Sequence, residues 1–388
     1  MKIDLEAFSS VLMRSLSNMG GEVLPYIRRF FRFLALPYCF SKVNWIECPR
    51  SKIQVASDFF YIFFFLKYFP DNYSPCRLWE KNRSEWLYYY GSNYDPYQRR
   101  QLRKIVQPKV YEIVFQDKVL SAMLCKANSI ETPEVIKIVK EGESLERIAR
   151  EFAKTGYEKL IFKPRSGKGG NNIICTEFSC GTVRTIRNGE YSSIVGINAD
   201  NEMIVQNFIK QHEDMSKISS STNTIRVVTL KKRNGDILIV GTYARFGVGI
   251  SRVDNLSQGG ICVSVDIKSG GLASIGFNRL SQVFTKHPTS GVQFEGYQIP
   301  LWDEVIALAN NVQKSFDFYP LLGMDIAVSE DGPLVIEINS SYDNVDLEQA
   351  RGPILKSPEV YQAFEEYDLF INKYQKKLKP IFQGYQNA

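Results

Sequence analysis

The stretch Gly323-Met324-Asp325-Ile326-Ala327-Val328, followed after Glu330-Asp331-Gly332 by Pro333-Leu334-Val335-Ile336-Glu337-Ile338-Asn339, decides how this chain is read. Two runs of alternating character flank a turn of acids and glycine, the pattern of a β-hairpin. Asp325 lies six residues before Asp331 and Glu337 six residues after it, so a hairpin centred there sets the two carboxylates opposite each other. Asn339 is two residues beyond Glu337 and shares its face, because side chains alternate along a strand. Three oxygen donors then converge on one face while apolar residues fill the other. Two facing carboxylates repel unless a cation lies between them, and Mg²⁺ takes a few such oxygens with phosphates and water completing its shell.

Working outward, residues from about 110 alternate between helical and extended patterns. Asp117 precedes a helical stretch that ends before Thr132-Pro133, since the residue before proline avoids helix. Glu143 to Thr155 reads as an amphipathic helix with Leu145, Ile148 and Phe152 on one face. Strands follow at Leu160–Lys163, Asn172–Thr176 and Met203–Phe208. Asn234-Gly235 marks a hairpin between Ile225–Lys231 and Ile237–Ala244. Ser269-Gly270-Gly271 marks another, and Leu301, Val305, Leu308, Val312 and Phe316 form the stripe of a long helix. The pattern is α+β with mostly antiparallel strands.

Lys163-Pro164-Arg165-Ser166-Gly167-Lys168-Gly169-Gly170 runs from a strand end into a glycine-rich loop. Glycines let backbone N–H groups approach phosphate oxygens, although a turn between two strands has the same composition. The spacing is neither a Walker A loop nor a dinucleotide fingerprint. Gln206-Asn207-Phe208-Ile209, with Glu213 and Asp214 beyond, reads either as a strand lining an adenosine pocket or as a surface loop.

Composition excludes several classes. Seven scattered cysteines without a C-x-x-C pair read as reduced thiols of a cytoplasmic protein. Two histidines rule out a multi-histidine metal cage, and the acids after Met1 are wrong for a signal peptide. Phe59–Leu66 is too short to span a bilayer and reads as a buried helix. Residues 1–110 hold 17 Lys and Arg against 9 Asp and Glu, a net of +8 when the whole chain is +6. That basic third also carries Arg28-Arg29-Phe30-Phe31-Arg32 and Tyr88-Tyr89-Tyr90. It reads as a helical domain with solvated arginines, or as a surface for an anionic membrane, acidic glycan or nucleic acid, the last disfavoured without a binding motif.

The order of these groups resembles the ATP-grasp superfamily over roughly residues 110–345, and within it the sugar-transfer-associated group. The resemblance implies two α+β lobes clasping ATP behind a helical N-terminal region. The expected divisions are 1–108, a basic, aromatic helical region; 109–208, a lobe with the glycine-rich phosphate loop; and 209–388, a lobe with the metal site and a C-terminal helix. Lys118 and Lys163 correspond to the nucleotide lysines, and Ser166, Gly167, Lys168, Gly169 and Gly170 to the loop that closes over the phosphates. Gln206, Asn207, Phe208 and Ile209 resemble the adenine-contacting hinge, with Glu213 or Asp214 for ribose. Arg226 resembles the family's phosphate-facing arginine, and Arg245 through Asn255 to Gly260 its arginine, asparagine and paired-glycine stretch, with Lys163, Arg226 and Arg245 expected to be catalytic, Arg245 at the oxyanion, and Asn255 to contact the nucleotide. Asp325, Glu337 and Asn339 match the ligands of Mg²⁺, with Mn²⁺ as a substitute. The implied activity is ATP-dependent carboxylate–amine ligation through an acyl phosphate, joining a sugar acid or amino acid to an amine in surface polysaccharide (capsule) biosynthesis. A phosphotransferase or a non-catalytic nucleotide-binding regulator on the same scaffold are the alternatives. Implied partners are the two small-molecule or glycan substrates, polysaccharide assembly enzymes and the inner membrane face; Arg351, Tyr342 and Asp343 are candidates for the acceptor pocket.

Overall fold

The computed structural model describes residues 25–92, 103–167, 172–179, 182–187, 190–251, 254–256, 259–370 and 372–378. The chain opens with helices α1 (Pro25–Leu34), α2 (Leu36–Ser41) and α3 (Lys52–Tyr61), the last continued by a π-helical turn at Ile62–Leu66. Ser51 caps α3 in a reciprocal box with Gln54, which satisfies two end donors at once. These helices and the short turns after them bury their own aromatic core, including Phe59, Phe63, Tyr68, Tyr73 and Trp86. The Phe59–Leu66 run is helical as expected, yet Phe60 and Phe65 face outward.

Helices α4 (Glu112–Gln116) and α5 (Lys118–Ala127) precede a six-stranded antiparallel sheet. Its strands are β1 (Val135–Val139), β2 (Lys159–Pro164), β3 (Ile174–Ser179), β4 (Thr182–Arg187), β5 (Glu190–Ser192) and β6 (Met203–Asn207), in the order β1-β6-β2-β3-β4-β5. Helix α6 (Leu145–Phe152) covers one face, burying Leu145, Ile148 and Ala149 against Leu160, Phe162, Ile174 and Val205. Strand alternation then turns Ile161 and Lys163 to the opposite face.

After α7 (Glu213–Ile218), a seven-stranded antiparallel sheet forms from β7 (Thr224–Lys231), β8 (Ile237–Phe246), β9 (Ile261–Val265), β10 (Leu272–Asn278), β11 (Val283–Phe284), β12 (Leu321–Ser329) and β13 (Gly332–Asn339). Its order is β11-β10-β9-β8-β7-β12-β13. The Asn234-Gly235 turn joins β7 and β8, with Gly235 at φ +93°, a conformation costly for any residue with a Cβ. Helix α8 (Trp302–Ser315) packs on one face through Trp302, Val305, Ala309 and Val312, against Ile225, Val227, Met324 and Ile326. Phe115 of α4 and Cys125 of α5 join this cluster, although both helices precede the first sheet in sequence. Helices α9 (Asn344–Arg351) and α10 (Pro358–Glu366) cover the other face through Leu347, Val360 and Phe364.

The loops that follow the N-terminal helices are bonded to α9 and to the turn after β10. The buried Glu348 carboxylate on α9 accepts from Tyr90 N at 2.6 Å, Gly91 N at 2.9 Å and Ile354 N at 3.3 Å. The turn after β10 inserts as well: Leu280 O accepts from Asn44 Nδ2 at 2.8 Å and Ser281 O from Arg77 Nη1 at 3.2 Å. Among the described residues no helix is long and apolar enough to cross a membrane.

Candidate active site

A cleft of about 780 Å³ opens between the two sheets, and both walls are charged. Its floor on the seven-stranded side is the hairpin β12–β13. The register sets Asp325 opposite Glu337 on β13 and opposite Arg226 on β7, with Arg226 in turn opposite Tyr243 on β8. A bulge after Asp325 leaves Ile336 unpaired, so Met324 and Ile326 face the α8 core while Asp325 and Glu337 line the cleft. Gly323 lies opposite Asn339, which places the asparagine on the Glu337 face.

The cation needed between such carboxylates comes partly from the chain itself. Asp325 accepts from Arg226 Nε on Oδ1 and from Arg226 Nη2 on Oδ2 at 3.1 Å. Arg245 Nη2 reaches the same Oδ2 at 2.9 Å. Burial alone would push the Asp325 carboxyl up, but the two guanidiniums outweigh it and hold it below the usual carboxylate range. Arg245 also lies 3.6 Å from Asp254 and donates to Thr224 Oγ1, which itself donates to Asp254. Burial is the main reason the Asp254 carboxyl is raised, with Arg245 and Thr224 acting against it. Asp254 and Asn255 are held by the turn into β9. Gly259 N donates to Leu256 O and Gly260 N to Asn255 O, and a Cβ on Gly260 would collide with the Asp254 carbonyl. This gives the paired glycines a steric reason.

Two lysines face the β12–β13 hairpin, Lys163 from the six-stranded sheet and Lys118 from the start of α5. Lys163, next to last in β2, is 7% exposed, and burial lowers its ammonium to about 8, with Glu337 pulling it up and Lys118 pushing it further down. Asp117 caps α5 by accepting from Val119 N at 2.9 Å and Leu120 N at 3.2 Å. The same carboxylate is clamped by Arg165, with Nη2 at 2.6 Å, and that bond is the main cause of its lowered pKa. Lys118 Nζ donates to Gly167 O at 3.0 Å and lies 3.6 Å from Glu337, so it spans the cleft. Gln206 is buried, its amide donating to Pro133 O at 2.9 Å, while Asn207 and Ile209 line the opening.

Of the residues expected from sequence, Lys118, Lys163, Ser166, Gly167, Gln206, Asn207, Ile209, Arg245, Asn255, Asp325 and Glu337 line this one cleft. Lys168, Gly169 and Gly170 lie outside the described residues. Arg226 does not line the cleft; it sits behind Asp325, at 7% exposure. Phe208 packs under the Lys159 ammonium. Glu213 and Asp214 do not reach the cleft either: they form the first turn of α7, capped by His212, and both pair with Lys217. Acids at a helix start are favoured there by its dipole, which explains them without a ligand. Sequence reasoning missed Asp254, Thr224 and the Arg165–Asp117 clamp. Asp254 adjoins the Asn255 it did select, and Arg165 follows the selected Lys163-Pro164, so adjacency was the available signal.

Among the described residues no three histidine, cysteine or acidic side chains gather as a metal site. The hairpin offers two carboxylates and an amide instead, with Asn339 Nδ2 at 3.5 Å from Asp325 Oδ2. Oδ1 of Asp325 carries one of the two bonds it can accept, and Asn and Gln amides are assigned their orientation from surrounding bonds. Hard oxygen donors of this kind suit Mg²⁺, so the residues present fit that ion.

A search of curated protein sequences finds no match. Solved structures with similar chains include an N5-carboxyaminoimidazole ribonucleotide synthetase at 10% identity and TM-score 0.35, over 63% of this chain and 52% of that one. The chain thus spans about half the length of that enzyme. D-cycloserine synthetase DcsG is 11% identical with a TM-score of 0.40 over 71% and 74% of the two chains. D-alanine–D-alanine ligase from Bacillus anthracis is 16% identical with a TM-score of 0.35 over 68% and 69%. The profile of one family covers residues 97–359, a span that contains both sheets and every wall of the cleft. The chain belongs to the sugar-transfer associated ATP-grasp family.

Proposed function

We propose that this protein is an ATP- and Mg²⁺-dependent carboxylate–amine ligase working through an acyl phosphate. One observation carries the reading. Lys163 comes from the six-stranded sheet and the Asp325–Glu337 pair from the seven-stranded one, and Lys118, at the start of α5 between them, lies 3.6 Å from Glu337. Cations beside hard oxygen donors suit a polyphosphate and its metal ion.

The substrate carboxylate attacks the γ-phosphorus, the bond to ADP breaks, and an acyl phosphate forms. The amine then attacks the acyl carbon, phosphate leaves, and the amine gives up a proton. Such transfer needs positioning and charge neutralisation more than a protein nucleophile. Lys118 and Lys163 hold the phosphates, and the Gln206–Ile209 segment offers its backbone to the adenine edge. A magnesium ion held through Asp325, Glu337 and Asn339 would neutralise further phosphate charge. Arg226 and Arg245 keep Asp325 ionised, and Arg245, which lines the cleft, stabilises the oxyanion in this reading. The ribose acid is reassigned away from Glu213 and Asp214; Asp254 and Glu202 are the cleft acids left to test. The family's description as sugar-transfer associated supports a sugar acid or amino acid as carboxylate, joined to an amine in surface polysaccharide synthesis. The free, buried cysteines support a cytoplasmic setting.

The test is incubation with ATP, Mg²⁺ and a panel of sugar acids and amino acids, with and without amines. ADP, phosphate and an amide should appear only when a carboxylate and an amine are both present. A stable phosphorylated product formed regardless of amine would overturn ligation.

A further inference from the structure

The N-terminal helices turn apolar side chains outward as well as inward. On α1, Ile27, Phe30 and Leu34 recur at spacings of three and four and are 44%, 59% and 36% exposed. A helix packed on a globular core carries such a stripe on its inner side. Ile53, Phe60 and Phe64 follow one line along α3 and its π turn, with Ile53 83% and Phe60 49% exposed, and Phe65 beside them is 56% exposed. The two helices are joined beneath these rows: the Phe33 ring of α1 lies 6.0 Å from both Phe60 and Phe64 and 5.9 Å from the buried Phe63, and the Arg29 guanidinium sits over Phe64 at 5.4 Å. The inner faces have their core in Val55, Phe59, Ile62 and Phe63, with Phe33 and Phe64 packed against it, and Ile27, Phe30, Ile53, Phe60 and Phe65 lie exposed beyond that core. A contiguous apolar patch of this kind marks an interaction surface.

Cations rim the patch. Lys67 ends the π turn, and burial together with the charges of Arg29 and Lys373 lowers its ammonium. Lys373 arrives from the far end of the chain, where Asn372 Nδ2 donates to Phe65 O at 2.7 Å. Aromatic and aliphatic side chains ringed by Lys and Arg match the interfacial zone of a membrane with negative headgroups. A second copy of the chain is disfavoured, because a two-fold contact would set the Arg29, Lys67 and Lys373 cluster against itself.

We propose that this face docks onto an anionic phospholipid bilayer, with Ile27, Phe30, Phe60 and Phe65 entering the headgroup region and Arg29, Lys67 and Lys373 facing the phosphates. The reading is independent of the reaction in the cleft.

Sedimentation of the full chain with vesicles tests it. Vesicles with about 30% phosphatidylglycerol should bind the protein at low salt, pure phosphatidylcholine vesicles should not, and salt should weaken binding several-fold. The double variant Phe30→Ser with Phe65→Ser should lose about tenfold in binding, and Lys67→Gln with Lys373→Gln should lose the preference for negative lipid. Both should keep the parent's melting temperature. Absence of binding to the negative vesicles, a dimer in light scattering without lipid binding, or binding that survives both double variants and vanishes on deleting residues 1–24 would each overturn the proposal.

Discussion

The two walls of the cleft handle charge in opposite ways. On the seven-stranded side, Asp325, Arg226, Arg245, Asp254 and Thr224 satisfy one another inside the sheet. On the six-stranded side, Lys163 is buried with another lysine nearby, and its attraction comes from Glu337 across the gap. The buried cluster of one wall is electrostatically self-contained, with only Glu337 beside it reaching across the gap to Lys118, whereas Lys163 on the other wall has, among the described residues, no counter-charge on its own side. The buried cluster should therefore weigh mainly on folding, and the groups facing the gap, Glu337 and the lysines, mainly on binding and turnover. That division can be broken, or sharpened, residue by residue.

Asp325→Asn should have the largest effect. It leaves two buried guanidiniums without their carboxylate, and breaking a buried pair costs about 3–5 kcal/mol. Urea unfolding should show a loss of that order, and ADP release should fall below detection. A variant as stable as the parent would mean that the arginines have other partners and that the wall is not self-contained. Glu337→Gln separates the two properties. Glu337 is half-buried and sits at 3.6 Å from Lys118, so unfolding should shift by no more than about 1 kcal/mol. Turnover should nonetheless drop by about 10²–10³-fold, the usual cost of removing a charge aimed at the transition state. Unchanged turnover would remove Glu337 from the site.

Lys163→Met probes the incomplete wall. Folding lowers the Lys163 ammonium from 10.5 to about 8. Below pH 8 both folded and unfolded chains hold the proton, so the full cost of burying the charge, on the order of 3 kcal/mol, is present. Between pH 8 and 10.5 the unfolded chain holds more protons, so this residue makes stability rise with pH. Lys163→Met should accordingly be more stable than the parent at pH 7, with the gap closing by pH 10. ATP affinity of the parent should fall as pH passes about 8, and Lys163→Met should bind weakly at every pH. An equal gap at pH 7 and 10 would show that Lys163 keeps its proton in the folded chain.

The same contrast explains what could be read from the sequence. The hairpin at Asp325 and Glu337 was legible because strand period and turn chemistry fix which residues face each other, and the register agrees. Lys163 could be read from the residues because it closes a strand that runs into a glycine-rich loop, whereas Lys118 came from the family resemblance, its place after the capping Asp117 carrying no such signal by itself. Arg226 was placed on the right strand, but its engagement with Asp325 is a pairing 99 residues apart in sequence, and no local pattern reports strand order. Glu213 and Asp214 misled because acids serve helix starts as readily as ribose hydroxyls. The outward stripe on α1 was seen only as basic and aromatic, since periodicity identifies a helix face without saying which side the core is on.

The smallest effect belongs to the contact that joins the Arg165–Gly167 segment to the start of α5. Asp117 does two jobs: it caps α5, and it holds Arg165 through three hydrogen bonds. Lys118 N also donates to Arg165 O at 3.1 Å, so the lysine and the loop start move together. Asp117→Ala should cost about 1–2 kcal/mol, a cap of about 1 plus a partly exposed pair of at most about 1. Arg165→Ala removes only the pair and should cost less. The double variant should reveal a coupling of about 0.5–1 kcal/mol. Because Arg165 lowers the Asp117 pKa, that coupling should be full at neutral pH and disappear as acid protonates the carboxylate. The catalytic groups remain in place, so the kinetic signature should be a raised KM for ATP with kcat little changed. A drop in kcat at constant KM would show instead that the clamp acts on the transferred phosphoryl group, and the six-stranded wall would then share the catalytic role assigned to its partner.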